Sequence, residues 1–218
     1  MLEKLFSKWR ESILLKEALK ETEESFEKVR KMFLLSMEYV FENEKKEDEL
    51  YNMDKEINSL QIDIRKKLFE HLAINPQQDI TECLLLITII IDIERLGDYS
   101  KNIAEIPQLY HLKLKEGPHL KVATDMRRKL ESLFQKTEKV FKEVNKKEAK
   151  ILTNEYTQLN HLCDDTILKL TQDSTLASPD AVSFTLLFRY FKRISSHLRN
   201  IATSVINPFY RIGYKPEE

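Results

Sequence analysis

The chain has 218 residues, 35 Lys+Arg against 36 Asp+Glu, a net charge of −1, 42% hydrophobic and 33% charged residues, and only 3 Gly and 6 Pro. So few glycines cannot supply the tight turns of a β-sandwich, barrel or hairpin-rich fold, and neither GxGxxG nor GxxxxGK[ST] is present to cradle a phosphate. The even charge balance lacks the basic excess of a nucleic-acid binder, which leaves an all-α chain of one large domain or two small ones.

The N-terminal stripe Leu2, Leu5, Phe6, Trp9 and Ile13 predicts an amphipathic helix over residues 1–15. Packing against the rest of the protein is its simplest use, and a membrane-surface or partner-docking role is the alternative. Acids at Glu3 and Glu11 and the lack of a small-residue cleavage site argue against a signal peptide. Helical periodicity then runs from Lys16 to Asn43, with Phe26, Val29, Phe33, Met37 and Val40 on one stripe, until the charged patch Glu44 to Glu49 breaks it. A second helix is predicted from Asp48 to Leu72 on Leu50, Met53, Ile57, Leu60, Ile64 and Leu68. Asn75-Pro76 separates it from a third, Gln77 to Leu112, which Pro107 is expected to kink or end near Glu105 or Ile106. The β-branched run Ile87 to Ile91 reads as buried helix rather than strand, because the 3.6-residue period continues on both sides. The longest apolar stretch, Cys83 to Ile93, is interrupted by Thr88 and Asp92 and is too short to span a membrane. Cys83 and Cys163 form no CxxC, so neither a disulfide framework nor a zinc knuckle is expected; Cys83 reads as a small core residue in a reducing cytoplasm.

Gly117-Pro118 punctuates the middle of the chain. Three further helices follow, His119 to Asn145, Lys147 to Gln172 and Pro179 to about Val205. Ser178-Pro179 echoes Asn75-Pro76 before the last of them. At an offset of 98 residues, Arg95, Asn102, Ile103 and Ala104 fall on Arg193, Asn200, Ile201 and Ala202. The fold class predicted is two tandem three-helix bundles, 16–116 and 119–218, with up-down helices and a shared interface, since each unit alone is too small to bury its stripes.

Glu94, Asp98, Asn102 and Glu105 are spaced four, four and three residues apart and so share one helix stripe, which Ile87 and Ile91 extend backwards as if into a core. Carboxylates four apart repel by about 0.2–0.5 kcal/mol on an exposed helix, and more when partly buried. Arg95 projects about 100° away and is not an obvious partner. Two readings remain open. A hard cation such as Mg, Mn, Fe or Ca could hold the stripe together, or it is a solvated acidic face paired with Lys or Arg from neighbouring helices.

Other chemistries lack support in the sequence. His71, His111, His119, His161 and His197 are scattered without a GxSxG elbow, so no hydrolytic triad is expected. A di-iron bundle would need Glu-x-x-His pairs, which neither His161 nor His197 supplies. His197, aligned with Tyr99, reads as a helix-surface or interface residue. The basic runs Arg127-Arg128-Lys129 and Lys142 to Lys150 read as solvated helix surface. The aromatic end of the chain (Phe184, Phe188, Tyr190, Phe191, Phe209, Tyr210) reads as core and interface packing.

The string Asp92 to Glu105, with Glu94-Arg95-Leu96-Gly97-Asp98 and Asn102-Ile103-Ala104-Glu105, resembles the signature of the PhoU family, an E/DxxxD motif in an ERxGDxxxNIAE-like context. Arg189 to Ala202 resembles the same signature in decayed form, and Asp54 matches the acidic position one helix earlier. The resemblance implies an all-α fold of two three-helix bundles and a non-enzymatic role in controlling phosphate uptake and phosphate-responsive signalling. It also implies metal held on the bundle surface by Glu94, Asp98, Asp54 and Asn102, as one divalent or trivalent ion (Fe, Mg, Mn or Zn) in the first repeat. Asp92 and Glu105 are further candidates as ligands. In the second repeat Lys192, Ser196 and Asn200 form a degenerate site: a protonated lysine cannot ligate a cation, but its ammonium could stand in for one. The implied partners are a membrane phosphate transporter or its sensor histidine kinase, and no nucleic acid, with self-association into a homodimer left open. The implied location is the cytoplasm, at the inner face of the membrane. A metal-dependent enzyme, an ion-storage bundle or a purely structural scaffold are the competing readings.

Overall fold

In the computed structural model, which describes residues 12–75, 77, 79–110 and 113–214, each helix starts and stops where local chemistry allows. Helix α1 (Ile13–Glu42) starts at Ser12, whose hydroxyl accepts the Leu15 N–H, and ends at Asn43 in the left-handed region. Helix α2 (Glu47–Ile74) opens on Glu47, Asp48 and Glu49, three acids at the positive end of its dipole. Helix α3 (Ile80–Tyr110) follows. Helix α4 (Pro118–Glu143) carries its proline in the first turn, where a missing N–H costs nothing, and closes on Val144 in the left-handed region. Helix α5 (Lys146–Gln172) is capped by the Asn145 side chain, which accepts from Glu148 N–H. Helix α6 (Ser178–Thr203) also has proline at its start, and a 3₁₀ turn (Phe209–Arg211) closes the described chain.

The division into two three-helix repeats holds, and the boundaries move by a few residues. Most of the N-terminal helix expected over 1–15 lies outside the described residues; Ile13 is already the first residue of α1. Pro107 does not end α3, which runs on to Tyr110. The proline stands in the last turn, where it removes a single ladder bond and little helix remains to be disrupted.

Within each repeat the three helices pack on one another, and between repeats α3 packs on α6 and α1 on α4. These four helices form the centre and α2 and α5 flank it. Both central pairs run antiparallel. Arg30 and Glu42 of α1 meet Glu138 and Arg127 of α4, while Asp92 and Tyr99 of α3 meet His197 and Tyr190 of α6. The repeats are therefore related by a pseudo-two-fold axis through the seam. Phe134 lies in that seam, stacked on Phe33 at 4.8 Å and edge-on to Phe26 at 6.2 Å. Arg127 is not free surface either: it pairs with Glu42 at 3.1 Å and Glu131 at 2.8 Å and lies over the Phe41 ring. Cys83 and Cys163 are fully buried, and burial pushes both thiols up to about 12. Among the described residues no helix is long and apolar enough to cross a membrane.

Candidate functional site

The stripe on α3 faces α2, and the acids on it meet cations of the chain itself. Lys101 donates to Asp54 at 3.0 Å and lies 3.7 Å from Asp98. Arg95 donates to Asp98 at 2.9 Å and stands 3.6 Å from Glu94. The geometric expectation that Arg95 would be no partner is thus corrected: its long side chain bends back over the surface, and residues three apart on a helix are neighbours whatever the nominal angle between them. Asp54 also accepts from Asn58 at 3.5 Å. Asn102 is half-buried one turn beyond Asp98.

The charges are unevenly matched. Glu94 is pushed above the usual carboxylate range, first by burial and then by Asp98 and Asp54, which outweigh Arg95 and Arg65. Burial draws the Lys101 ammonium down, but the hydrogen bond and charge of Asp54, together with Asp98 and Glu105, carry it above its ordinary value.

Asp92, a further candidate ligand, is turned away from this face. It lies buried in the seam, where its Oδ1 accepts from His197 Nδ1 at 2.7 Å and from Asn200 Nδ2 at 2.9 Å. Asn200 is thereby separated from Lys192 and Ser196. Lys192 donates to both oxygens of Asp164, at 2.7 and 2.6 Å, and Ser196 accepts from Asn160 at 3.3 Å while donating to the Lys192 carbonyl. Helical spacing put the three on one stripe. The slow drift of 3.6 residues per turn against a four-residue step carries the third of them into the seam.

The apolar extension of the stripe is also corrected. Ile91 is 38% exposed rather than core, whereas Ile87 is partly buried against the core; elsewhere on α3 Leu84 is 37% exposed, and on α2 Ile62 and Phe69 are 63% and 73% exposed. The contacts Asp54–Lys101 and Ser12–His71–Asp79 fix the antiparallel register of the two helices, which sets Phe69 at the level of Leu84 and Ile62 near Ile91. Exposed apolar side chains thus stand at matching levels of α2 and α3 in the first repeat.

A Ser–His–Asp chain does occur, although the sequence motifs predict none. Ser12 Oγ lies 3.2 Å from His71 Nδ1, and His71 Nε2 lies 3.3 Å from Asp79. His71 is 3% exposed, so a substrate cannot reach it, and the serine hydroxyl caps α1. The three residues tie the start of α1, the end of α2 and the start of α3. His119 and Asp173, 2.9 Å apart, tie the start of α4 to the end of α5. Among the described residues, those lining a recess of about 460 Å³ (Tyr39, Asn43, Lys45, Glu47, Pro107, Gln108 and Lys113) include no histidine or thiol.

The PhoU domain family matches residues 22–106 and 123–205, one domain on each repeat. The chain belongs to the PhoU family. Two crystal structures of PhoU share its fold. That of PhoU from Pseudomonas aeruginosa superposes with a TM-score of 0.79 at 18% identity, covering 88% of this chain and 95% of the other. That of the phosphate transport system regulatory protein PhoU from Streptococcus pneumoniae gives 0.76 at 16% identity, covering 88% and 92%. No curated protein sequence matches the chain.

Membership of the PhoU family raises the fit of a metal ion. Among the described residues no three His, Cys, Asp or Glu side chains gather as a metal-holding group. The oxygens of Asp54 and Asp98 that would ligate an ion instead accept from Lys101 and Arg95. As arranged, this donor set does not fit a metal.

Proposed function

We propose that the chain is a non-enzymatic regulator of phosphate transport and phosphate-responsive signalling, acting in the cytoplasm as an adaptor to a membrane phosphate transporter or its sensor kinase. The single observation that carries this is the match of the PhoU family to both repeats, in order and over most of their length. The surface supports the same reading. Ile62, Phe69, Leu84 and Ile91 are exposed on α2 and α3, and exposed apolar side chains that gather on one surface mark protein–protein contact.

The test is deletion of the gene in its host, with phosphate uptake measured at low and high external phosphate. Loss of the difference between the two conditions, restored by the wild-type chain, is the expected result. Uptake that responds to external phosphate as before overturns the proposal. Affinity capture of the tagged chain from host membranes, probed for the transporter's ATPase subunit and for the kinase, identifies which of them is bound.

A further inference from the structure

We infer that this protein carries its counter-ions covalently: Lys101 in the first repeat and Lys192 in the second occupy the role of a surface metal ion, so both outer faces keep their form without metal.

In the first repeat Asp54, Glu94 and Asp98 bring three negative charges onto the α2–α3 face, and Lys101 and Arg95 return two positive ones within 3.7 Å. That is the charge a divalent cation would supply. An incoming ion would have to displace an ammonium and a guanidinium that are tethered to the same helix, and it would leave both unpaired beside it. Tethered groups act at a high effective concentration, so a free ion competes poorly. Arg65 of α2 adds a further positive field at Glu94.

The second repeat reaches the same end with the signs reversed. Lys192 falls at the position of Glu94 in the repeat, and the partner across the helix pair changes with it: Glu94 is opposed by the field of Arg65, whereas Lys192 is held by both oxygens of Asp164. A lysine in place of the carboxylate, facing an acid on α5, makes an ion pair of its own and removes a ligand set. Ser196, at the position of Asp98, is engaged with Asn160 and the Lys192 carbonyl. On the first face the ligand oxygens of Asp54 and Asp98 are already taken by Lys101 and Arg95, and on the second Asp164 is taken by Lys192.

The inference stands apart from the identity of any partner, and its test needs none. The full chain is purified without chelator, its metal content is measured by elemental analysis, and it is titrated with Mn²⁺ while binding heat and melting temperature are followed. The wild type is expected to hold no stoichiometric metal and to melt at the same temperature with EDTA or Mn²⁺. Lys101→Gln, which keeps the length of the side chain and removes its charge, is expected to gain one Mn²⁺ per chain and a melting temperature that rises with Mn²⁺; adding Asp54→Asn abolishes both. Where Lys101→Gln does not fold, Lys192→Glu/Ser196→Asp makes the same comparison on the half-exposed face of the second repeat. Stoichiometric metal in the wild type that is lost in Glu94→Gln/Asp98→Asn overturns the inference. So does a folded lysine variant that gains no affinity for Mn²⁺.

Discussion

His197 of α6 donates its Nδ1–H to Asp92 of α3 at 2.7 Å, a part-buried polar tie between two repeats that the α1–α4 ion pairs join at the surface. The pseudo-two-fold axis maps this pair onto Tyr190 and Tyr99, whose rings lie 6.0 Å apart, so one contact position holds an imidazole–carboxylate pair on one side of the axis and two phenols on the other. Tyr99 also stacks on His197 at 5.6 Å, and the whole set forms a single polar and aromatic seam.

Because Asp92 is buried, its donors matter more than those of a surface acid. His197→Ala is expected to destabilise the protein by about 1–3 kcal/mol, since Asn200 remains as the other donor and the carboxylate is left partly unsatisfied. A double-mutant cycle with Asp92→Ala, read by urea denaturation, should show the two changes to be non-additive. Additive changes would mean that the hydrogen bond contributes nothing to holding the repeats.

The seam is also braced from the C-terminal segment. Gly213, at φ 83°, donates its N–H to Thr203 Oγ1 at 2.8 Å, and a Cβ there would stand 2.5 Å from Asn200 Oδ1. Gly213→Ala is expected to cost about 1–3 kcal/mol through left-handed strain and displacement of Asn200 from Asp92. In an Asn200→Ala background the steric part disappears and the backbone part stays, so the penalty should shrink without vanishing.

Phe134→Ala removes the ring that fills the space between Phe26 and Phe33 and should cost about 3–5 kcal/mol. Because the cavity lies between repeats, fluorescence and circular dichroism should still report one coincident transition, at a lower denaturant midpoint. Two separated transitions would show that the repeats fold independently.

Asp173 gives a pH signature. The Thr175 hydroxyl, then His119 and the Thr175 N–H, lower its carboxyl to about 2 from an ordinary 3.8. A carboxyl depressed in the folded state stabilises it above the unfolded value and loses that contribution as pH falls through the folded one. The melting temperature of Asp173→Asn should therefore lie below that of the wild type above about pH 4, and the gap should close as pH approaches 2. A gap that is independent of pH would trace the loss to the changed cap geometry rather than to charge.

The residues of the candidate site show what was legible and what was not. Glu94, Asp98 and Asp54 do share one face, as helical spacing and the antiparallel pairing of α2 with α3 require. That Lys101 would sit between Asp54 and Asp98 was not legible, because Asp54 lies 47 residues away in the chain and its level against α3 is fixed only when α2 packs. Arg95 was misjudged for a different reason: a backbone angle locates a Cβ, while a guanidinium travels several bonds beyond it. His197 was rightly expected at a surface or interface, since it aligned with an aromatic residue. Its acceptor, Asp92, was placed among possible ligands because the sequence cannot say which acid of a dense run turns inward.

By itself the sequence determined the helices, their grouping into two units and the kinship of those units. These follow from a 3.6-residue apolar period, from proline and glycine at the breaks, and from a repeated string, all of which are local along the chain. The tertiary structure alone decided which charges meet, which acid is buried and which isoleucines remain at the surface. Those outcomes depend on how one repeat turns against the other, and short-range physics leaves that angle free until the aromatic and aliphatic side chains of four central helices interlock.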